Sequence, residues 1–211
     1  MRNFKELLLV LVICSLMFVM IGAANNSQQL AMNIHCQRNL KEMFQATQAW
    51  SADNANKLLP INYQDASGYR YWYWKILPYL SDKKAIYCPD NPLVIKNNLL
   101  SPQRLSPLLP GDKAETINCH ISYGYNQIMG VSNLKFSNLK DPGYLIFLGD
   151  AFRPYLRPYI PDWLQSYAPV HSKFAQYVTF DGHVEIHSAE TLGLVKGNND
   201  WHTDEKRWNN R

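Results

Sequence analysis

Three of the chain's six histidines lie in one short stretch, residues 171–187, which reads HSKFAQYVTFDGHVEIH. Its Asp-Gly pair predicts a two-residue hairpin turn between two antiparallel strands. Because side chains alternate along a strand, His183, Glu185 and His187 would share one face of the second strand. Two imidazoles and a carboxylate are a ligand set that binds zinc or non-haem iron. The stretch therefore raises the question of metal chemistry.

The same alternation also has an ordinary structural interpretation. Val184 and Ile186 would face the core while the three polar side chains face water, as in any half-buried antiparallel strand. A straight strand separates its first and fifth residues by roughly 13 Å, which is too far for both to bind one ion. We therefore predict no metal centre, and His183, Glu185 and His187 remain the candidates if there is one.

Other chemistry finds little support in the sequence. It contains no G-x-S-x-G, no Gly-rich phosphate loop and no C-x-x-C pair. Asp150 and His171 resemble half of a hydrolase dyad, but no residue supplies the nucleophile. The net charge is +4 without a basic run of five, which argues against nucleic acid as a partner. We predict a protein that is not an enzyme and has no cofactor.

The elements that position these residues begin with an apolar segment. Leu7 to Ala24 contains no charge and, as a helix, would span about 27 Å, close to the hydrocarbon thickness of a bilayer. Arg2 and Lys5 precede it, which predicts a single-pass anchor with the rest of the chain outside the cytoplasmic membrane. The small residues Gly22-Ala23-Ala24 leave open an alternative, a signal peptide cut there to release a secreted domain.

A helical pattern continues beyond the apolar segment. Between Asn25 and Trp50, one approximate stripe is formed by Leu30, Ile34, Met43, Phe44 and Trp50, with Ala31, Ala46 and Ala49 beside it. No proline interrupts the chain before Pro60. We predict one helix of about fifty residues, with residues 1–24 in the membrane and residues 25–60 on a domain.

Residues 61–190 are predicted to form that domain, an α+β fold of several antiparallel strands, followed by a polar tail at 191–211. The segment Tyr69–Asp82 carries six aromatic residues, which we assign to the core. Asn91 to Lys113 has many prolines and is predicted to be a long surface loop. Ile121–Asn126 is predicted to be a short strand that enters a turn, and Tyr144–Leu148 a buried strand.

The cysteines fit an extracytoplasmic domain. Cys14 lies in the membrane segment, whereas Cys36, Cys88 and Cys119 would meet an oxidising compartment in which disulfides persist. Three thiols form at most one bridge, and their spacing does not select the pair.

The opening stretch also has a recognisable spacing, His171 followed by nine residues and then Asp181-Gly182. It resembles the H-x9-DG signature of the bacterial prepilin-type processing-associated family, whose members are related to type II secretion pseudopilins. Further elements agree in order, namely Cys36, Asn39, Leu40, Lys41, Asp53, Asn54, Leu59 and Pro60, then "ILPYL", "YCP" and "SYGYN".

The resemblance implies a type IV pilin-like fold, in which a long N-terminal transmembrane helix packs on a small antiparallel sheet. It implies a non-enzymatic inner-membrane subunit that assembles with its own copies, other pseudopilins and secretion machinery. A disulfide between Cys36 and Cys88 is also implied, with Cys88 and Cys119 as the alternative pair. Pseudopilins of this broad class can hold a calcium ion in a loop, but no run of alternating Asp and Asn ligands places one in this sequence. The alternative function is a secreted or anchored domain that binds a ligand through an aromatic surface and does not polymerise.

Glu6 aligns with the acidic fifth mature position of the family, where it would pair with a neighbouring subunit's N-terminal amine. The alternative places Glu6 at the membrane interface beside Lys5. The aligned cleavage point falls between Met1 and Arg2 without the family's preceding glycine, which argues against processing by a leader peptidase. His171 is expected to form a hydrogen bond across its hairpin or to a neighbouring loop.

Overall fold

The computed structural model describes residues 2–65, 68–91, 121–131, 134–151, 154–156, 170–171 and 174–188. The predicted loop, apart from Asn91, lies outside these residues, as do Cys119 and the tail at 191–211. The chain divides into two compact units, Met1–Ile34 and His35–Arg211.

A single helix, α1 (Arg2–Asp53), confirms the predicted element of about fifty residues. In the first unit its apolar side chains are exposed on all sides, from Leu8 to Ile21. A helix that is apolar all round suits lipid and not water. In the part of the chain that the structure describes, α1 is the one helix long and apolar enough to cross a membrane.

The second unit uses one face of α1 as the spine of its core. The buried positions recur every three or four residues, as expected of a helix packed on one side, and they are Cys36, Asn39, Leu40, Met43, Phe44, Ala46, Thr47, Trp50 and Ser51. The predicted stripe was wrong at its start, since Leu30 and Ile34 are 61% and 57% exposed. It missed Asn39 and Thr47, whose polar groups are satisfied inside the core; the Thr47 hydroxyl donates to the Met43 carbonyl.

Small elements follow α1. The strands β1 (Asn62–Asp65) and β2 (Gly68–Tyr71) form a two-stranded antiparallel sheet, and α2 (Tyr73–Ile76) runs into 3-10 turns at Leu77–Tyr79 and Lys83–Ile86. The aromatic segment belongs to the core as predicted, because Trp72, Tyr73 and Trp74 are buried. The Trp72 indole donates to the carbonyl of Pro154 at 2.5 Å, which ties this segment to the main sheet.

The main sheet has five strands in the order β5-β3-β4-β6-β7. Their bounds are β3 (Tyr123–Asn126), β4 (Ile146–Asp150), β5 (Tyr155–Leu156), β6 (Phe174–Thr179) and β7 (Val184–Ser188), with α3 (Gln127–Val131) and a 3-10 turn (Phe136–Asn138) between β3 and β4. The predicted α+β class is confirmed, but the sheet is mixed, because β5 pairs parallel to β3. β5 follows β4 and runs antiparallel to it, as the second strand of a hairpin would. It does not pair with β4, because β3 and β6 occupy both edges of that strand.

The predicted strands at Ile121–Asn126 and Tyr144–Leu148 are found as β3 and β4, and each begins two residues later than predicted. Tyr144 is exposed and lies in the turn before β4, where its N–H donates to the Asp141 carbonyl. The buried strand therefore begins at Ile146.

The predicted hairpin is confirmed, since β6 and β7 pair antiparallel around the Asp181-Gly182 turn. The assignment of faces on β7 was right for Val184, which packs against the core, and for the exposed His183, but wrong at the next three residues. Ile186 is exposed, whereas Glu185 and His187 are half-buried. The His187 ring packs 6.1 Å from the Tyr177 ring of β6, so the side of β7 expected to face water is partly covered.

Gly182 generates a prediction about stability. Its φ of +88° disfavours any other residue, and an added Cβ would lie 2.7 Å from the Phe44 ring of α1. We expect Gly182→Ala to lower the free energy of unfolding by about 1–3 kcal/mol in urea titrations of the full chain in detergent micelles. Gly22→Ala is the matched control, because nothing lies within 4 Å of its added Cβ. Equal midpoints for the two variants would contradict this role of Gly182.

Candidate functional site

A buried disulfide forms the centre of the candidate site. Cys36 of α1 and Cys88, which follows the 3-10 turn at Lys83–Ile86, are bonded with their Cα atoms 5.5 Å apart. Both residues are fully buried. The structure pairs the two cysteines as the resemblance implied. Cys14 is a free, exposed cysteine.

Asn39 strengthens the same junction one helical turn further along α1. Its side-chain amide donates to the carbonyl of Tyr87 at 2.9 Å and lies 3.4 Å from the hydroxyl oxygen of Tyr123. Asn39 is buried, so these partners replace the water that it loses. Three elements of the resemblance, the Cys-Asn helix segment, "YCP" and "SYGYN", are therefore in direct contact.

His171 reaches the junction from the start of β6. Its Nδ1 lies 2.9 Å from the Asp90 carboxylate, and its Nε2 lies 3.5 Å from Cys88 Sγ. Its backbone exchanges two hydrogen bonds with Phe174, which fixes the ring ahead of the strand. Of the two bonds expected of His171, the structure shows the one to a neighbouring loop, and the acceptor is Asp90.

Asp150, the last residue of β4, completes the cluster from the sheet. It is fully buried, and its Oδ2 accepts a 2.7 Å hydrogen bond from the backbone N–H of Gln176 and lies 3.5 Å from His171 Nε2. Its Oδ1 has no hydrogen-bond partner among the described residues. Asp150 thus carries one buried oxygen that accepts no hydrogen bond from the described residues.

Burial sets the charge states of this pair. It raises the pKa of Asp150 well above its usual range, against the hydrogen bond from Gln176. It lowers the pKa of His171, although the bond to Asp90 acts in the opposite direction. Both shifts favour the neutral form. The dyad considered from the sequence does meet in space, but the nearest sulfur is in a disulfide and is therefore not a nucleophile.

The Asp-Gly end of the signature holds the other end of β6. Asp181 Oδ1 accepts hydrogen bonds from the Thr179 hydroxyl and the His183 N–H, and the first of these is the main cause of the lowered pKa of Asp181. Gly182 lies against Phe44 of α1. The nine residues between His171 and Asp181 thus contain the six-residue strand β6, with His171 anchored before it and Gly182 packed on α1 after it.

The metal candidates from the sequence are placed differently. His187 Nε2 lies 2.6 Å from Glu185 Oε2, and His183 is exposed. In the described ranges one group of three or more Cys, His, Asp or Glu residues brings its ligand atoms within 4.8 Å of one another, and it is Cys36, Cys88 and His171. This group does not consist of oxygen ligands, so it does not locate the calcium ion considered from the resemblance.

Sequence reasoning missed Asp90 and Asp150 as partners of His171. Asp90 lies two residues after Cys88 in "YCPD", and Asp150 ends a buried strand, where a charged residue is unusual. A carboxylate beside a cysteine and a carboxylate at the end of a buried strand were the two sequence features that could have indicated these partners.

Comparisons with known proteins return nothing, since no protein-family model, no curated protein and no solved structure matches this chain.

The Asn39 contacts generate a second prediction. Asn39→Ala would leave the buried Tyr87 carbonyl without this donor, which costs about 1–3 kcal/mol of unfolding free energy. Gln45→Ala removes a similar amide from an exposed position of the same helix and should change stability by less than about 0.5 kcal/mol. Urea unfolding followed by tryptophan fluorescence compares the two variants. Similar losses in both would refute a structural role for the Asn39 amide.

Proposed function

We propose that this chain is a non-enzymatic, membrane-anchored subunit of the pilin and pseudopilin class, working in a type II secretion or type IV pilus-like system. The observation that carries the proposal is the continuity of α1. One half of the helix exposes apolar side chains on every side, and the other half is the spine of an α+β domain. A lipid anchor and a structural core in one helix suit a subunit built for assembly.

The proposed location is the inner membrane, with a single span and the domain on the extracytoplasmic side. Arg2 and Lys5 before the apolar segment favour this orientation. The buried disulfide agrees with it, because disulfides persist outside the cytoplasm.

Exposed apolar residues support assembly. Leu30 and Ile34 follow the uncharged segment at helical spacing, and both are more than half exposed. An apolar strip of this kind is best removed from water by packing on the equivalent helix of another copy. In a head-to-tail arrangement such contacts repeat and build a filament.

The alternative function, a binding domain that does not polymerise, relied on an aromatic surface. Trp72, Tyr73 and Trp74 lie in the core, so these three aromatic side chains do not form such a surface. A chain that stays monomeric in the membrane would favour this alternative.

The third prediction concerns these helix contacts. A photoreactive benzoylphenylalanine in place of Leu30 or Ile34 should cross-link copies in intact membranes into a ladder that extends beyond dimers, because head-to-tail contacts propagate. The same probe in place of the exposed Ser137, on the domain, measures the background of chance collisions. Monomers alone at both helix positions would contradict assembly and favour the binding domain.

The fourth prediction concerns Glu6. If its carboxylate compensates a neighbour's amine in lipid, Glu6→Gln should reduce cross-linked species by roughly tenfold, whereas Glu6→Asp should retain them. Membrane insertion, checked by resistance to alkaline extraction, should be unchanged in both variants. An unaltered ladder in the Gln variant would instead assign Glu6 to the interface beside Lys5.

A further inference from the structure

We propose that the reduced form of this chain binds one Zn²⁺ ion through Cys36, Cys88 and His171, with Asp150 as the fourth ligand. The inference stands apart from the proposed function, because it depends on the second unit alone. It assigns a role to a histidine and a buried carboxylate that the disulfide by itself does not require.

Three of the four ligand atoms already lie close to one another, and Asp150 lies beside one of them, the His171 ring. The two sulfurs and a His171 ring nitrogen lie within 4.8 Å of one another. The distances from His171 Nε2 to Cys88 Sγ and to Asp150 Oδ2 are both 3.5 Å. Zinc bonds of about 2.3 Å to sulfur and about 2.0 Å to nitrogen and oxygen place neighbouring ligand atoms about 3.3–3.8 Å apart. The two sulfurs reach this spacing only when the disulfide is reduced, and Asp150 must then turn towards them.

The histidine is oriented as a metal ligand. The Asp90 carboxylate is an acceptor, so His171 donates from Nδ1 to it and leaves the Nε2 lone pair directed at Cys88 and Asp150. A carboxylate behind the distal ring nitrogen is the usual partner of a zinc-binding histidine, where it fixes the tautomer and the ring.

Asp150 supplies the independent observation. Its carboxyl group is 0% exposed, and its Oδ1 has no hydrogen-bond partner among the described residues. A buried carboxylate needs a cation or a proton to compensate its charge. A zinc ion beside His171 Nε2 would replace that proton.

The disulfide and the metal exclude each other. A dithiol reductant would transfer two electrons and two protons to the Cys36–Cys88 bond, which breaks into two thiols while the reductant becomes a disulfide. Zinc then displaces both thiol protons and the proton of Asp150, because thiolates and carboxylates are the binding forms. Both sulfurs are buried, so the ion enters during folding of the reduced chain or during local opening.

The test uses the full chain in detergent micelles, in a Cys14→Ala, Cys119→Ala background that removes the other thiols. The protein is reduced with a trialkylphosphine, desalted without oxygen and titrated with Zn²⁺ against a chromophoric chelator. We expect one equivalent to bind the reduced chain and none to bind the oxidised chain. Co²⁺ in place of zinc should give the absorption bands of tetrahedral cobalt with a thiolate charge-transfer band.

Variants separate a built site from adventitious thiol binding. Asp90→Asn keeps the size of a side chain that is 20% exposed, and it should weaken zinc affinity about 10–100-fold. His171→Ala should weaken it further, and His183→Ala, at an exposed histidine, should leave it unchanged. The proposal is overturned if the reduced chain, folded or not, takes up no more zinc than the oxidised chain. It is equally overturned if His171→Ala and His183→Ala bind zinc alike.

Discussion

The covalent bond between Cys36 and Cys88 is the constraint on which the rest of the second unit depends. It joins α1 to a loop 52 residues away in sequence, and closing a loop of that length removes about 4 kcal/mol of chain entropy from the unfolded state. Asn39 adds hydrogen bonds from the next turn of the helix, and His171 adds the start of β6. α1, the loop that carries Cys88 and the start of β6 are therefore linked at one junction.

This junction gives the H-x9-DG spacing a physical meaning. The signature brackets β6, whose first end is held by the His171–Asp90 bond and whose second end packs through Gly182 on Phe44 of α1. β6 is thus linked at its first end to the loop that carries Cys88 and Asp90, and at its second end to α1. A histidine that looks catalytic in the sequence serves here to position a strand, beside a disulfide that it approaches within 3.5 Å.

Local patterns made α1, β3, β4 and the β6–β7 hairpin predictable, because periodicity and turn residues lie close together in the chain. Contacts across the chain were beyond that reasoning. Asp90 lies 81 residues from His171, and the parallel pairing of β5 with β3 depends on which places beside β4 are already filled. The prediction that Glu185 and His187 of β7 face water failed for the same reason, because Tyr177 of the neighbouring strand packs beside His187 on that face.

Hydrogen–deuterium exchange of the oxidised full chain, compared with His171→Ala, tests most directly whether this junction is one structural unit. The account predicts that amides of α1 between Asn39 and Trp50 and amides of β6 lose protection together, although the disulfide remains intact. Loss of protection confined to residues next to position 171, with α1 unchanged, would contradict it.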